Sequence, residues 1–202
     1  RLGQKALVWR FDPVFLGRGY DKSVHIRSSR KIAAHLEGYT QVCIFSFVDL
    51  YRKTLRNFPD VQEVSPEDQH ELAAAFAAIA SDHGMRLKSC AESRELDRYG
   101  IDSRGCIMKQ DLEDLTGREY TIPGRKSKRE ACECLLENEI GAYNSCPHGC
   151  LYCYANTSPG KVALNFRNHD PESPLLIGHP GSEDEISVPR QKSYADKQLG
   201  LF

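Results

Sequence analysis

No stretch of this chain approaches the ~20 consecutive apolar residues that a membrane-crossing helix needs. Nor does a signal-peptide pattern precede the first apolar run. Charge imbalance is missing too: the formal net charge is −1, so the bulk electrostatics point to neither nucleic acid nor an anionic membrane. The basic stretch Arg125-Lys126-Ser127-Lys128-Arg129 reads as a solvated loop, and no internal repeat is visible. What is left is a chain of 202 residues, 40% hydrophobic and 27% charged, enough for one globular domain with a tail. The expected setting is cytoplasmic and reducing.

Cysteine is the residue the sequence does have in quantity. There are eight, and five of them lie between Cys132 and Cys153. Disulfide frameworks belong to oxidising compartments, so clustered thiols in a reducing setting point to metal instead. Cys43 stands apart, within the apolar run Val42-Cys43-Ile44-Phe45, where it reads as a small buried hydrophobe.

Hydrophobic patterning gives the frame. Ala6-Leu7-Val8-Trp9 is a short β-leaning run ended by Arg10-Phe11-Asp12-Pro13, and residues 42–48 form a second buried strand. Residues 28–36 read as a short helix. Ser65-Pro66-Glu67-Asp68 supplies an N-cap, a first-turn proline and acids for a helix running through the Ala-rich segment to about residue 80, with Gly84 as its stop. Residues 86–90 form a third strand. Strand, helix, strand, helix, strand is the pattern of βαβ units on a parallel sheet. Three strands cannot close an eight-stranded barrel. Because Arg1 is not an initiator methionine and an apolar strand follows almost at once, the expectation is an N-terminally truncated chain holding a partial TIM-type (β/α) barrel; a doubly wound sheet is the alternative. The expected division is a partial barrel over 1–115, a cysteine-rich cluster-binding segment packed on it over 116–177, and a flexible tail over 178–202, which is polar and rich in Pro and Ser.

In parallel α/β folds ligands sit at the C-terminal ends of the strands. On this reading that edge carries Arg10 and Asp12, then Asp49 and Tyr51, then Cys90 and Glu92. Each alone is explained by a loop ion pair or a cap; recurrence at three strand ends favours a common pocket, with Arg10, Asp12, Asp49, Lys53 and Glu92 as candidate cofactor- or substrate-binding residues.

Cys146-Pro-His-Gly-Cys150-Leu-Tyr-Cys153 places three and then two residues between thiols. Such a loop can wrap three thiolates around one corner of an inorganic cube and leave the fourth iron without a ligand from the motif. Pro147 and Gly149 suit the sharp turns, and His148 fits a turn cap or a donor to sulfur. Soft thiolates suit an iron–sulfur cluster or zinc. Structural zinc sites usually take four ligands as closely spaced pairs, a pattern this loop does not follow. Cys90, Cys106, Cys132 and Cys134 are enough for a second complete metal site, or are spare buried thiols.

The cysteine loop resembles that of the radical S-adenosylmethionine (SAM) enzymes, with Tyr152 in the place where an aromatic often precedes the last cysteine. That resemblance implies a 4Fe–4S cluster on Cys146, Cys150 and Cys153, SAM chelated by the open iron, reductive SAM cleavage, and a reductant protein as partner. The wider sequence resembles the bacterial family known as domain of unknown function 1848, through Val8-Trp9-Arg10-Phe11-Asp12-Pro13, Ser46-Phe47-Val48-Asp49-Leu50-Tyr51-Arg52-Lys53, Cys90-Ala91-Glu92, Gly105-Cys106-Ile107 and the stretches from Ile140 to Asn144 and on to Asn156. The loop departs from typical radical SAM enzymes in following the strands, and no Gly-Gly-Glu run is present to hold the SAM amino group. Cys132, Cys134 or Cys106 could also close the fourth iron. A non-catalytic iron–sulfur or redox protein and a zinc-stabilised interaction module therefore stand beside the enzyme reading. Finally, Gln198-Leu199-Gly200-Leu201-Phe202 resembles the peptide by which bacterial repair and replication proteins dock on the DNA sliding clamp, through apolar anchors and a register-fixing Gln.

Overall fold

The structure is a computed structural model that describes residues 3–122, 133–135, 141–187 and 193–195. Cys132, the basic stretch Arg125–Arg129 and the clamp-like segment Gln198–Phe202 lie outside the described residues. The chain divides into two compact units: the first comprises Arg1–Val48, Asp60–Leu136 and Tyr194–Phe202, the second Asp49–Pro59 and Glu137–Ser193.

The first unit is a mixed α/β structure around a three-stranded parallel sheet in the order β1-β2-β3, with β1 Trp9–Val14, β2 Val42–Phe47 and β3 Arg86–Ser89. Trp9, Arg10 and Phe11 pair with Cys43, Ile44 and Phe45, and Val42 to Phe45 pair in turn with Arg86 to Ser89. As the middle strand, β2 is apolar on both faces: Cys43, Ile44 and Phe45 are all buried. No closed barrel is present among the described residues.

Helix α1 spans Lys22–Leu36 and helix α3 spans Pro66–Asp82. The second begins where its sequence predicts: Ser65 accepts the Asp68 backbone N–H, and Pro66 opens the first turn. Its apolar face brings Phe76 against Phe11 and Phe45 at ring distances of 5.4 and 5.6 Å. Leu72, Ala73 and Ala80 join the same core, with Leu87 from β3 and Leu96 and Ile101 beyond it. Burial of these side chains is the main force holding the unit together.

Two expected elements move. The first strand does not lie over residues 6–9: Gln4–Ala6 form a 3-10 turn and Leu7 and Val8 are exposed. Pairing with β2 selects Trp9–Val14 instead, with a register irregularity between Phe11 and Val14 that accommodates Pro13 in an edge strand. Arg10 and Asp12 accordingly sit within β1, not beyond its end. Helix α1 starts at Lys22, ahead of the expected residue 28, because Asp21 caps it by accepting the Val24 N–H at 2.8 Å. Its buried positions are His25, Ser29 and Ala33, a face too polar to show as hydrophobic periodicity. Lys109–Thr116 (α4) also belongs to this unit.

The second unit contains α2, Arg52–Asn57, and α5, Pro159–Arg167. Ser158 caps α5 through the Lys161 N–H, and Pro159 opens it. No helix among the described residues is long and apolar enough to cross a membrane.

Candidate functional site

In the second unit the three thiols of Cys146, Cys150 and Cys153 sit on a loop whose two ends are tied together. Asn144 does most of the tying. Its Oδ1 accepts the backbone N–H of Thr157 at 2.5 Å, the Thr157 hydroxyl at 2.8 Å and the Ser158 N–H at 3.3 Å. Its own N–H donates to Ala155 O, and its carbonyl accepts from Asn165 on α5. Asn156 Nδ2 reaches back to Cys146 O at 2.6 Å. Within the loop the Cys153 N–H donates to Cys150 O at 3.1 Å, and Gly149 adopts a left-handed φ of 66° that a side chain would strain. Short polar side chains thus bond the backbone at both ends of the loop and leave the thiols at its tip; Cys146 and Cys150 are exposed.

Those thiols line a cavity of about 790 Å³ with Lys53, Arg56 and Asn57 of α2 and Val162, Phe166 and Arg167 of α5. Lys53 Nζ also donates to Tyr154 O at 3.4 Å, and Tyr154 packs its ring against Tyr51 and Tyr143. Asp49 accepts a hydrogen bond from the Tyr51 hydroxyl at 2.9 Å. Of the candidate cofactor- or substrate-binding residues, Lys53 lines this cavity and Asp49 lies in the same unit. Arg56, Phe166, Arg167 and Asn144 were not anticipated. Asn144 had a signal in the sequence, a helix-disfavouring amide just before the first cysteine, whereas the α5 side chains follow the motif and carry none.

The remaining candidates, Arg10, Asp12 and Glu92, belong to the first unit. Arg10 Nη2 and Asp12 Oδ2 form an ion pair at 2.5 Å, and Ser46 Oγ lies 3.5 Å from the same carboxylate oxygen. Glu92 Oε1 accepts the Phe47 backbone N–H at 2.8 Å, which ties the end of β2 to the segment after β3.

A second group of sulfurs stands beside Arg10. Cys106 Sγ is 3.2 Å from Cys134 Sγ, and the Cys106 N–H donates to Cys134 Sγ at 3.1 Å. The alignment comes from a short backbone ladder: Glu133 and Leu135 donate to Arg104 O and Ile107 O, and Glu133 pairs with Arg94. Gly105 makes the approach feasible, since a Cβ there would stand 3.0 Å from both the nitrogen and the sulfur of Cys134. Cys90 lies just past β3; its interaction with Cys106, followed by that with Arg10, outweighs burial and lowers its pKa to about 6. The Cys90 neighbour and burial push the Cys106 thiol up. Burial disfavours the Arg10 charge, but hydrogen bonds to Asp12 and Cys90 more than compensate and raise its pKa.

No described cysteine is joined in a disulfide. Among the described residues no group of three or more His, Cys, Asp or Glu side chains is placed to hold a single metal ion. A cluster, however, takes each protein thiolate on a different iron, so its ligands need not converge on one point.

The fold and the sulfur-rich loops define a mixed α/β protein with thiol-lined sites. The sequence pattern of the family described as Domain of unknown function (DUF1848) matches residues 1–155, and the chain belongs to that family. No curated protein and no solved structure matches it.

Proposed function

We propose that the protein holds a 4Fe–4S cluster on Cys146, Cys150 and Cys153 and uses it as a radical SAM-type enzyme. The observation that carries this reading is that all three thiols face one large cavity whose other walls are cationic and apolar. The donor set fits: three thiolates on a glycine-containing loop, two of them exposed, with the loop ends held by side-chain hydrogen bonds. Bound there, such a cluster would supply low-potential electrons. The chain's own contribution is to orient and to exclude water. Lys53, Arg56 and Arg167 would offer positive charge to a carboxylate, and Phe166, Val162 and Ala163 an apolar wall for a nucleoside or substrate. We read the sheet as part of a (β/α) barrel, whose consecutive strands are neighbours in the order β1-β2-β3 seen here; one half of a doubly wound sheet has the same order.

The test is anaerobic reconstitution followed by iron and sulfide analysis and by incubation with reductant and SAM. Iron and sulfide that depend on Cys150, with formation of 5′-deoxyadenosine, are the expected results. A fully loaded cluster that forms no 5′-deoxyadenosine and whose EPR spectrum ignores SAM would select the non-catalytic redox reading. Colourless, zinc-loaded protein would select the interaction module. A link to DNA repair through the clamp-like C-terminal pentapeptide is a proposal resting on sequence alone.

A further inference from the structure

We infer that Cys90, Cys106 and Cys134 form a second thiolate site, which binds a thiophilic metal centre independently of the Cys146–Cys153 loop. Three segments far apart in sequence bring these sulfurs together: the end of β3, the Gly105-Cys106-Ile107 turn and the strip at residues 133–135. Cys106 is the common member, 3.2 Å from Cys134 and electrostatically coupled to Cys90.

Simple burial of spare thiols does not account for the construction. A buried cysteine of the ordinary kind is surrounded by apolar side chains, as Cys43 is. Here, by contrast, sulfur meets sulfur, a backbone N–H points at Cys134 Sγ, and the Arg10 guanidinium acts electrostatically on Cys90 and Cys106. Donors aimed at sulfur stabilise thiolate, the form that ligates metal. Gly105 leaves just the room that the Cys134 sulfur occupies. Arg94 and the backbone of Arg104 and Ile107 hold the strip in place from both sides. As placed, the thiols form a chain with Cys106 at its centre and do not enclose an ion. Three thiolates leave a coordination position for a further ligand.

All-thiolate ligation suits either zinc or an iron–sulfur centre, and the test separates them. Full-length protein carrying Cys146→Ser, Cys150→Ser and Cys153→Ser together is purified without oxygen and analysed for zinc, iron and acid-labile sulfide. The expected result is retention of roughly one metal centre per chain, zinc alone or iron with sulfide. Adding Cys106→Ser should remove it, and adding Gly105→Ala should lower its occupancy several-fold by pressing on Cys134. A folded triple variant free of zinc and iron overturns the inference, whatever becomes of the loop cluster in the wild type; equally, loss of the loop cluster's chemistry leaves this site standing. A second measurement covers a triple variant that fails to fold. Wild-type protein is alkylated with and without a strong chelator, and the labelled peptides are mapped. Cys90, Cys106 and Cys134 should be protected and become reactive on chelation. Equal labelling in both samples, or a Cys106–Cys134 disulfide in the oxygen-free protein, overturns it.

Discussion

Asn144 is the residue on which the geometry of the cysteine loop depends most. It combines a left-handed backbone, φ 60°, with a side chain that accepts three hydrogen bonds from Thr157 and Ser158. Asparagine tolerates that conformation better than most residues because its short amide bonds locally. If the loop holds the proposed cluster, the expected outcome of Asn144→Ala is a loss of about tenfold or more in cluster affinity, seen as iron and sulfide lost on gel filtration. Asn144→Gly keeps the backbone but not the acceptor, so it should lose affinity too, and wild-type loading in both variants would refute the role.

At the opposite extreme, Cys43 should be chemically silent. It is 3% exposed in the core, and burial pushes its pKa up to about 12 from 9.0. Because the folded value is the higher one, the folded chain keeps this proton where the unfolded chain has lost it. The contribution to stability is complete below about pH 9 and is lost as the pH rises towards 12. Urea denaturation at pH 8 and pH 10 should show wild type losing more stability between the two than Cys43→Ala, at about 1.4 kcal/mol per pH unit at most. The variant's cavity cost is common to both pH values and drops out of the comparison.

Among the elements, α3 was the most legible, since Ser65, Pro66 and the Ala-rich face state its start and its buried side in one stretch. Ser65→Ala should cost about 1 kcal/mol in denaturant stability by leaving the Asp68 N–H without its acceptor. β1 and α1 were legible as types but not in extent. The pairing partner of β1 and the polar buried face of α1 are tertiary facts, which local propensity does not encode. The burial of Lys88 is a tertiary fact of the same kind. A lysine in a strand reads as solvent-facing, yet this one is 3% exposed, 2.5 Å from Asp111 and 4.0 Å from Asp102. The pair fastens α4 to β3, and Asp111 also accepts the Met108 N–H at the start of that helix. Asp111→Ala should therefore destabilise the fold by about 3 kcal/mol, because a buried ammonium loses its closest counter-charge. Lys88→Met combined with Asp111→Ala should recover a large part of that loss. A double variant no more stable than the single one would show that Asp111 acts mainly as a cap.

For the molecule as a whole, the grouping of Cys146, Cys150 and Cys153 on one loop was legible because close spacing of three thiols is a local property of sequence. The walls around it were not, since α2 and α5 lie about a hundred residues apart in the chain and only folding brings their cations to one cavity. Lys53 was recoverable from its place after a strand, while Arg56 and Arg167 had no such marker. If the cavity binds the carboxylate of SAM, as the proposed function requires, these cations act on the ligand and not on the cluster. Arg56→Gln and Arg167→Gln together should then leave iron and sulfide content and the reduced EPR signal unchanged. The change that SAM produces in that signal should weaken, with the SAM concentration for half effect rising about tenfold or more, equivalent to roughly 1.4 kcal/mol. Titration of the reduced, loaded protein with SAM measures this directly. A half-effect concentration equal to wild type would mean that the cationic wall serves something other than SAM. Iron loss in the double variant would instead assign the two arginines to the integrity of the cysteine loop.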